Sequence, residues 1–163
     1  MATSLKNLST FDKSKYSNCA DLNVGIVVSA WNKEITENLL KGALDVFSSV
    51  GITEDKVVVE WVPGAFELPL SAQLMCRNLQ LDGIVAIGVV IQGETKHFDF
   101  VCQGTTNGIM QVMLSENVPI AFCVLTDNNI EQSRDRSGGK HGNKGIEAAA
   151  ACLDMIKLKK KIS

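Results

Sequence analysis

The sequence predicts an α/β fold, a single domain with three layers, α/β/α, built around a four-stranded parallel sheet. Three observations predict it. From Asn23 onward, short runs of β-branched and aliphatic residues alternate with longer segments of helical period. The runs Ile84 to Ile91 and Val118 to Leu125 are apolar at consecutive positions, so strands there need cover on both faces. At 163 residues and 45% hydrophobic content, a chain buries roughly 70% of its unfolded surface. One core suffices, with no need of a disulfide or a structural metal, and neither a second domain nor an internal repeat is visible.

The elements follow in order. Val24-Gly25-Ile26-Val27-Val28-Ser29 reads as a strand, and the helix after it carries Ile35, Leu39, Ala43, Phe47 and Val50 before a terminating Gly51. Val57-Val58-Val59-Glu60-Trp61 is the second strand. It leads through Val62-Pro63-Gly64 into a helix with Leu68, Ala72, Met75 and Cys76, whose first turn suits Pro69. The third strand, Ile84 to Val90, ends in the loop Gln92-Gly93-Glu94-Thr95-Lys96, and Val101, Thr105, Ile109 and Val112 mark the next helix. The fourth strand, Pro119 to Leu125, is followed by an acidic, amide-rich helical start and the segment Arg136 to Gly145. A last helix bears Ile146, Ala149, Ala150, Leu153 and Ile156. The sum is βαβαβαβα with flavodoxin-like winding, because right-handed crossovers place helices above and below a parallel sheet. Residues 1–22, polar and rich in Ser, Asn and Lys, read as a flexible N-terminal arm, and residues 23–163 as the folded domain.

Composition narrows the function classes. Sixteen Lys plus Arg against eighteen Asp plus Glu give a net charge of −2, and the one lysine cluster is Lys157, Lys159, Lys160 and Lys161. No basic field tracks a phosphate backbone, so nucleic acid is not an expected partner. The five cysteines lack zinc-type spacing and read as reduced thiols, which points to the cytoplasm, and no metal site is expected from them and two histidines. The N-terminus lacks the apolar core of a secretory signal. No apolar run approaches the ~20 residues of a membrane span, and no membrane partner is expected.

In a parallel α/β sheet, ligands bind beyond the carboxyl ends of the strands, which directs attention to four loops. Trp31, beside Asn32, can stack on a planar heterocycle or pack under the following helix. Glu67, in Ala65-Phe66-Glu67, can accept hydrogen bonds from hydroxyls or complement a helix dipole. Gly93-Glu94-Thr95-Lys96-His97 gathers backbone N–H groups, a hydroxyl and an imidazole before a helix, a setting suited to a small phosphate. His97 is the better of the two histidines for proton transfer, and a capping or packing role is its alternative. Arg136 and Lys144 bracket a basic, glycine-dense segment that can grip an anion or lie solvated at the surface. No dinucleotide or Walker glycine pattern and no Ser or Cys nucleophile motif is present.

Val27-Val28-Ser29-Ala30-Trp31-Asn32, Val62-Pro63-Gly64-Ala65-Phe66-Glu67-Leu68-Pro69 and Ile87 to Asp99 resemble the lumazine synthase family. So do Val118 to Phe122, Leu125-Thr126, Ile130-Glu131-Gln132 and Gly142-Asn143-Lys144-Gly145, and the match spans about Val24 to Ile156. The resemblance implies condensation of 5-amino-6-ribitylaminouracil with 3,4-dihydroxy-2-butanone 4-phosphate to 6,7-dimethyl-8-ribityllumazine in riboflavin biosynthesis, without a cofactor. By that resemblance Trp31 and Asn32 face the pyrimidine, Ala65, Phe66 and Glu67 hold the ribityl chain, and the backbone of Val89, Val90 and Ile91 reads the heterocycle edge. Glu94, Thr95 and Arg136 surround the phosphate, and His97 transfers protons. Phe122 and Lys144 come from a neighbouring subunit. A homopentamer is implied, with an icosahedral shell of pentamers favoured by the short Ser137 to Asn143 connection, and riboflavin synthase is an implied partner. Two positions depart from the commonest pattern: Trp31 stands where Phe is frequent, and Gln92 where Arg or Lys is common. The competing expectation is a flavin-binding or shell-forming homologue without catalysis, for which Trp31 argues and His97, Arg136 and Glu67 argue against.

Overall fold

The computed structural model describes residues 11–163. Strand β1 (Val24–Ser29) leads into helix α1 (Lys33–Ser49), then come β2 (Val57–Val62), α2 (Leu68–Asn78), β3 (Gly83–Ile91), α3 (His97–Glu116) and β4 (Ile120–Asp127). A short helix α4 (Ile130–Arg136), a two-strand hairpin of β5 (Ser137–Gly139) and β6 (Gly142–Asn143), and helix α5 (Lys144–Ile162) complete the chain. The main sheet has four strands in the order β2-β1-β3-β4, all pairs parallel. That is the flavodoxin-like order of a three-layer α/β/α domain.

The two faces of β1 explain the layers. Val24, Ile26 and Val28 point to one side, where α1 and α5 cover them through Leu39, Phe47, Leu153 and Ile156. Val27 points to the other, beneath α2 and α3 with Leu68, Met75, Ile109 and Val112. Every residue of β1 is buried, whereas β2, at the sheet edge, is half-exposed.

Local signals set the ends of several elements. Helix α1 stops at a Schellman turn: Gly51 has φ +89°, its N–H reaches the Ser48 carbonyl at 3.0 Å, and the Ile52 N–H reaches Phe47 at 3.1 Å. Pro69 lies in the first turn of α2. Helix α5 starts at Asn143, whose side chain accepts from the Gly145 N–H at 2.8 Å and donates to the Asn38 carbonyl of α1 at 2.8 Å. Gly145 is obligatory at this crossing, since a Cβ there would meet the Leu39 carbonyl oxygen at 1.9 Å.

Two regions differ most from expectation. β4 runs two residues past Leu125 to Asp127, because β3 continues beside it to Ile91 and supplies ladder partners. The basic segment after Arg136 is a hairpin, with Gly138 at φ +129° and Gly142 at φ +77° making its turns, and Arg136 itself closes α4. The expected arm lies partly outside the described residues. In its described part, Cys19 and Leu22 are buried in the core, and Phe11 stacks on Tyr16 with ring centroids 5.0 Å apart.

Candidate active site

The carboxyl ends of β1, β2 and β3 hold most of the expected residues. The Ala30 N–H donates to the Val62 carbonyl at 2.8 Å, tying the end of β1 to β2. Asn32 then takes a left-handed conformation, φ +56°, which turns the chain into α1. Trp31, between them, is thrown outward and is 72% exposed. After β2, Ala65–Glu67 form one 3₁₀ turn. Helix α3 seats that turn: the buried Thr105 hydroxyl donates to the Ala65 carbonyl at 3.1 Å. At Gly104 the missing Cβ makes room for the Phe66 ring, which such an atom would meet at 2.6 Å. A Cβ on Gly64 would stand 3.3 Å from the Trp31 ring and 3.1 Å from the Glu67 carboxylate, so ring and carboxylate flank one point of backbone.

β3 contributes backbone. Its ladder with β1 ends at Val28 paired with Ile87, while its ladder with β4 runs on to Ile91 paired with Asp127. The β1-facing edge of Val89, Val90 and Ile91 therefore lies beyond the last β1 pair, where peptide groups can meet a flat ligand. The following loop is exposed at Glu94, Thr95 and His97, and the His97 N–H, first in α3, donates to the Thr95 hydroxyl at 3.3 Å.

Phe122, Arg136 and Lys144 form a separate cluster lining a cavity of about 500 Å³, together with Asp127 and Glu147. Its charges are matched. Lys144 Nζ lies 2.8 Å from both Glu147 carboxylate oxygens. Arg136 Nη1 donates to the Gln132 carbonyl at 2.9 Å, and its Nε lies 3.7 Å from Asp127 Oδ1. The Cys123 thiol on the cavity wall is pushed up to about 12, first by burial and then by the Glu147 charge, with Lys144 opposing. It stays protonated at neutral pH and is no nucleophile.

Within the single chain, Arg136 does not share its cavity with Glu94 and Thr95. Helix α4 carries Arg136 back over the end of β4, where Asp127 and the Gln132 carbonyl capture its guanidinium, and the cavity it lines contains neither Glu94 nor Thr95. Nor does that cavity contain Trp31, Phe66, Glu67 or His97. The sequence assigns no site role to Asp127, Ser133 or Gly104, and it reads Thr105 only as part of the apolar face of α3. An acid two residues past the apolar run that ends at Leu125 was a usable signal for Asp127, whereas the seating of Phe66 on Gly104 had none. Among the described residues no group of three or more His, Cys, Asp or Glu side chains is placed to hold a metal.

A doubly wound α/β domain with aromatic rings, a carboxylate and open peptide edges at its strand ends, and a cation-bearing cavity nearby, defines a small-molecule-binding protein of the flavodoxin-like class. Comparison with known proteins narrows this. The family described as 6,7-dimethyl-8-ribityllumazine synthase matches residues 21–160. A protein of that name from Christiangramia forsetii is 55% identical over 161 residues, covering 98% of this chain and 96% of its own. One from Flavobacterium johnsoniae is 48% identical, covering 100% of this chain and 86% of its own, and one from Lactiplantibacillus plantarum is 45% identical over 86% and 89%. The chain belongs to the 6,7-dimethyl-8-ribityllumazine synthase family.

Proposed function

We propose that this chain is an enzyme of the transferase class that condenses 5-amino-6-ribitylaminouracil with 3,4-dihydroxy-2-butanone 4-phosphate, releasing phosphate and water and forming 6,7-dimethyl-8-ribityllumazine. The observation that carries the reading is the pairing of an uncovered aromatic platform with a cavity of fixed cations, in a chain of this family. The platform suits a flat pyrimidine bearing a polyol, and the cations suit a phosphate. The uracil substrate brings its own amine nucleophile to the ketone, so the protein needs no covalent nucleophile and no cofactor. Its task is alignment, worth on the order of 7–11 kcal/mol in favourable cases, with one proton shuttle adding roughly 10²–10⁴-fold.

In this reading Trp31 stacks on the pyrimidine beside Asn32, and the turn Ala65, Phe66 and Glu67 holds the ribityl chain, with the Glu67 carboxylate accepting from its hydroxyls. The free edge of Val89, Val90 and Ile91 pairs with the heterocycle. His97, at the mouth, moves the protons of imine formation and phosphate departure, and Glu94 and Thr95 meet the phosphate from the loop side. Phe122, Arg136 and Lys144 complete the site from a neighbouring copy of the chain. The uncovered apolar side chains support such an assembly: Phe66 is 60% and Phe122 43% exposed, and Leu70, Leu74, Phe100, Met110 and Leu114 are exposed on α2 and α3. We assign the assembly as a pentamer able to close into a shell through the compact β5–β6 hairpin, working in the cytoplasm alongside riboflavin synthase.

The test mixes purified protein with both substrates and follows lumazine absorbance and phosphate release against an enzyme-free control. Saturable acceleration is expected. Folded, oligomeric protein that gives none, yet whose tryptophan emission riboflavin quenches in the wild type and not in Trp31→Phe, would replace the enzyme reading with flavin binding. Sedimentation velocity separates pentamer from shell.

A further inference from the structure

The charged residue with the least exposure in the Arg136 cavity is Asp127, at 5%. It ends β4, and three contacts meet there. Its Oδ2 accepts from the buried Ser133 hydroxyl at 2.8 Å. Its Oδ1 lies 3.7 Å from Arg136 Nε. Its backbone carbonyl accepts from the Gln92 N–H at 2.9 Å, which fixes the start of the loop bearing Glu94 and Thr95. Burying a carboxylate is unfavourable unless it is paired and hydrogen-bonded. A packing role alone would be met better by an apolar residue, so the choice of an acid here calls for a purpose in the pairing.

We infer that Asp127, held by Ser133, is a positioning residue that fixes the Arg136 guanidinium for the phosphate-bearing substrate. The inference rests on the reading of Arg136 as the phosphate group's partner. Arg136 closes a helix of seven residues next to a glycine-rich hairpin, and an arginine in such a place would otherwise sample many rotamers. Asp127 engages Nε from one side, and the Gln132 carbonyl takes one Nη1 proton at 2.9 Å. The Nη2 protons have no protein partner among the described residues and are the donors left for an anion. A guanidinium fixed beforehand loses less freedom on binding. With Lys144 matched to Glu147 and Arg136 to Asp127, the cavity carries no large excess of positive charge, so geometry rather than raw attraction selects the phosphate, and the released phosphate can leave.

The test is a double-mutant cycle on the assembled enzyme, with steady-state constants for each substrate and inhibition by inorganic phosphate. Asp127→Asn keeps an acceptor for Ser133 but turns an amide toward Arg136. It is expected to raise the KM for butanone phosphate, and the inhibition constant of inorganic phosphate, about tenfold. The KM for the uracil substrate should change less than about twofold. Ser133→Ala should act in the same direction with a smaller effect, and serves if Asp127→Asn folds poorly. In an Arg136→Ala background, Asp127→Asn should add less than about twofold, because its effect passes through Arg136. If Arg136→Ala itself leaves the butanone phosphate KM unchanged, the phosphate reading of Arg136 fails. If Arg136→Ala raises it but Asp127→Asn changes both substrates equally, or adds its full effect without Arg136, Asp127 is only structural and the inference is overturned.

Discussion

The two halves of the candidate site are built on opposite principles. At the ends of β1 to β3, rings and a carboxylate stand in the open: Trp31 is 72% exposed, and the surrounding shape is set by backbone, through Gly64, Gly104 and the Thr105 bond to Ala65. At the end of β4, shape is set by charge, through Arg136 with Asp127 and Lys144 with Glu147. The difference teaches how each proposed ligand group would be met. A flat heterocycle gains from apolar area that stays uncovered until a partner surface closes on it. A phosphate gains from donors whose directions are set before it arrives. A single chain prepares both surfaces separately, and in the proposed reading their union falls to assembly.

The largest expected effect tests that division directly. Arg136→Ala removes charge-assisted bonds worth roughly 1.5–3 kcal/mol each, so two lost bonds lower kcat/KM for butanone phosphate by about 10³-fold. In the proposed reading each site joins one half from each of two copies, so oligomers co-assembled from equal amounts of Arg136→Ala and His97→Ala chains should recover about one quarter of the wild-type sites. Recovery no better than the average of the two pure variants would show that both halves serve within one chain. Next in size is His97→Ala, expected to lower kcat by about 10²-fold while leaving measurable turnover. A folded variant with none would make proton transfer, not alignment, the main contribution. Trp31→Ala should raise the KM of the uracil substrate by about tenfold, the scale of one ring contact, and leave butanone phosphate unaffected. Equal effects on both substrates would dissolve the distinction between the halves.

The smallest effect lies outside both clusters and serves as their control. Arg134 makes bonds of 3.0 and 3.1 Å to the Glu34 carboxylate, tying α4 to α1, and the bond and charge of Arg134 hold Glu34 below its usual carboxylate range. A depressed folded value means that the tie contributes above the unfolded carboxylate range and is lost as pH falls through the folded value. Glu34→Gln should therefore melt slightly below wild type at pH 7, with the gap closing on acidification, as read by thermal scans from pH 7 to below 4. Kinetic constants should not move.

Much of the fold was legible because the signals were local. The Gly51 stop, the proline in the first turn of α2 and the uninterrupted apolar run of β3 each specify their element within a few residues. The halves of the site were not equally legible. Trp31, Phe66, Glu67 and His97 follow strands directly, so the rule that ligands meet the carboxyl ends of parallel strands locates them from sequence. Arg136 follows a short helix and precedes a hairpin whose glycines take positive φ, and its long side chain reaches back to a carboxylate nine positions earlier. Nothing in the spacing announces that return.

The sequence by itself determined the order and type of the elements and which loops stand at the carboxyl ends of the strands, because hydrophobic period, caps and turn glycines act between near neighbours. Only the tertiary structure decided the company each functional group keeps. Arg136 lies with Phe122, Lys144 and the buried Asp127, and Gly104 of α3 shapes the seat of Phe66. Those pairings join residues from different elements, where the direction of a flexible side chain follows from packing and from the cost of leaving a buried charge unmatched.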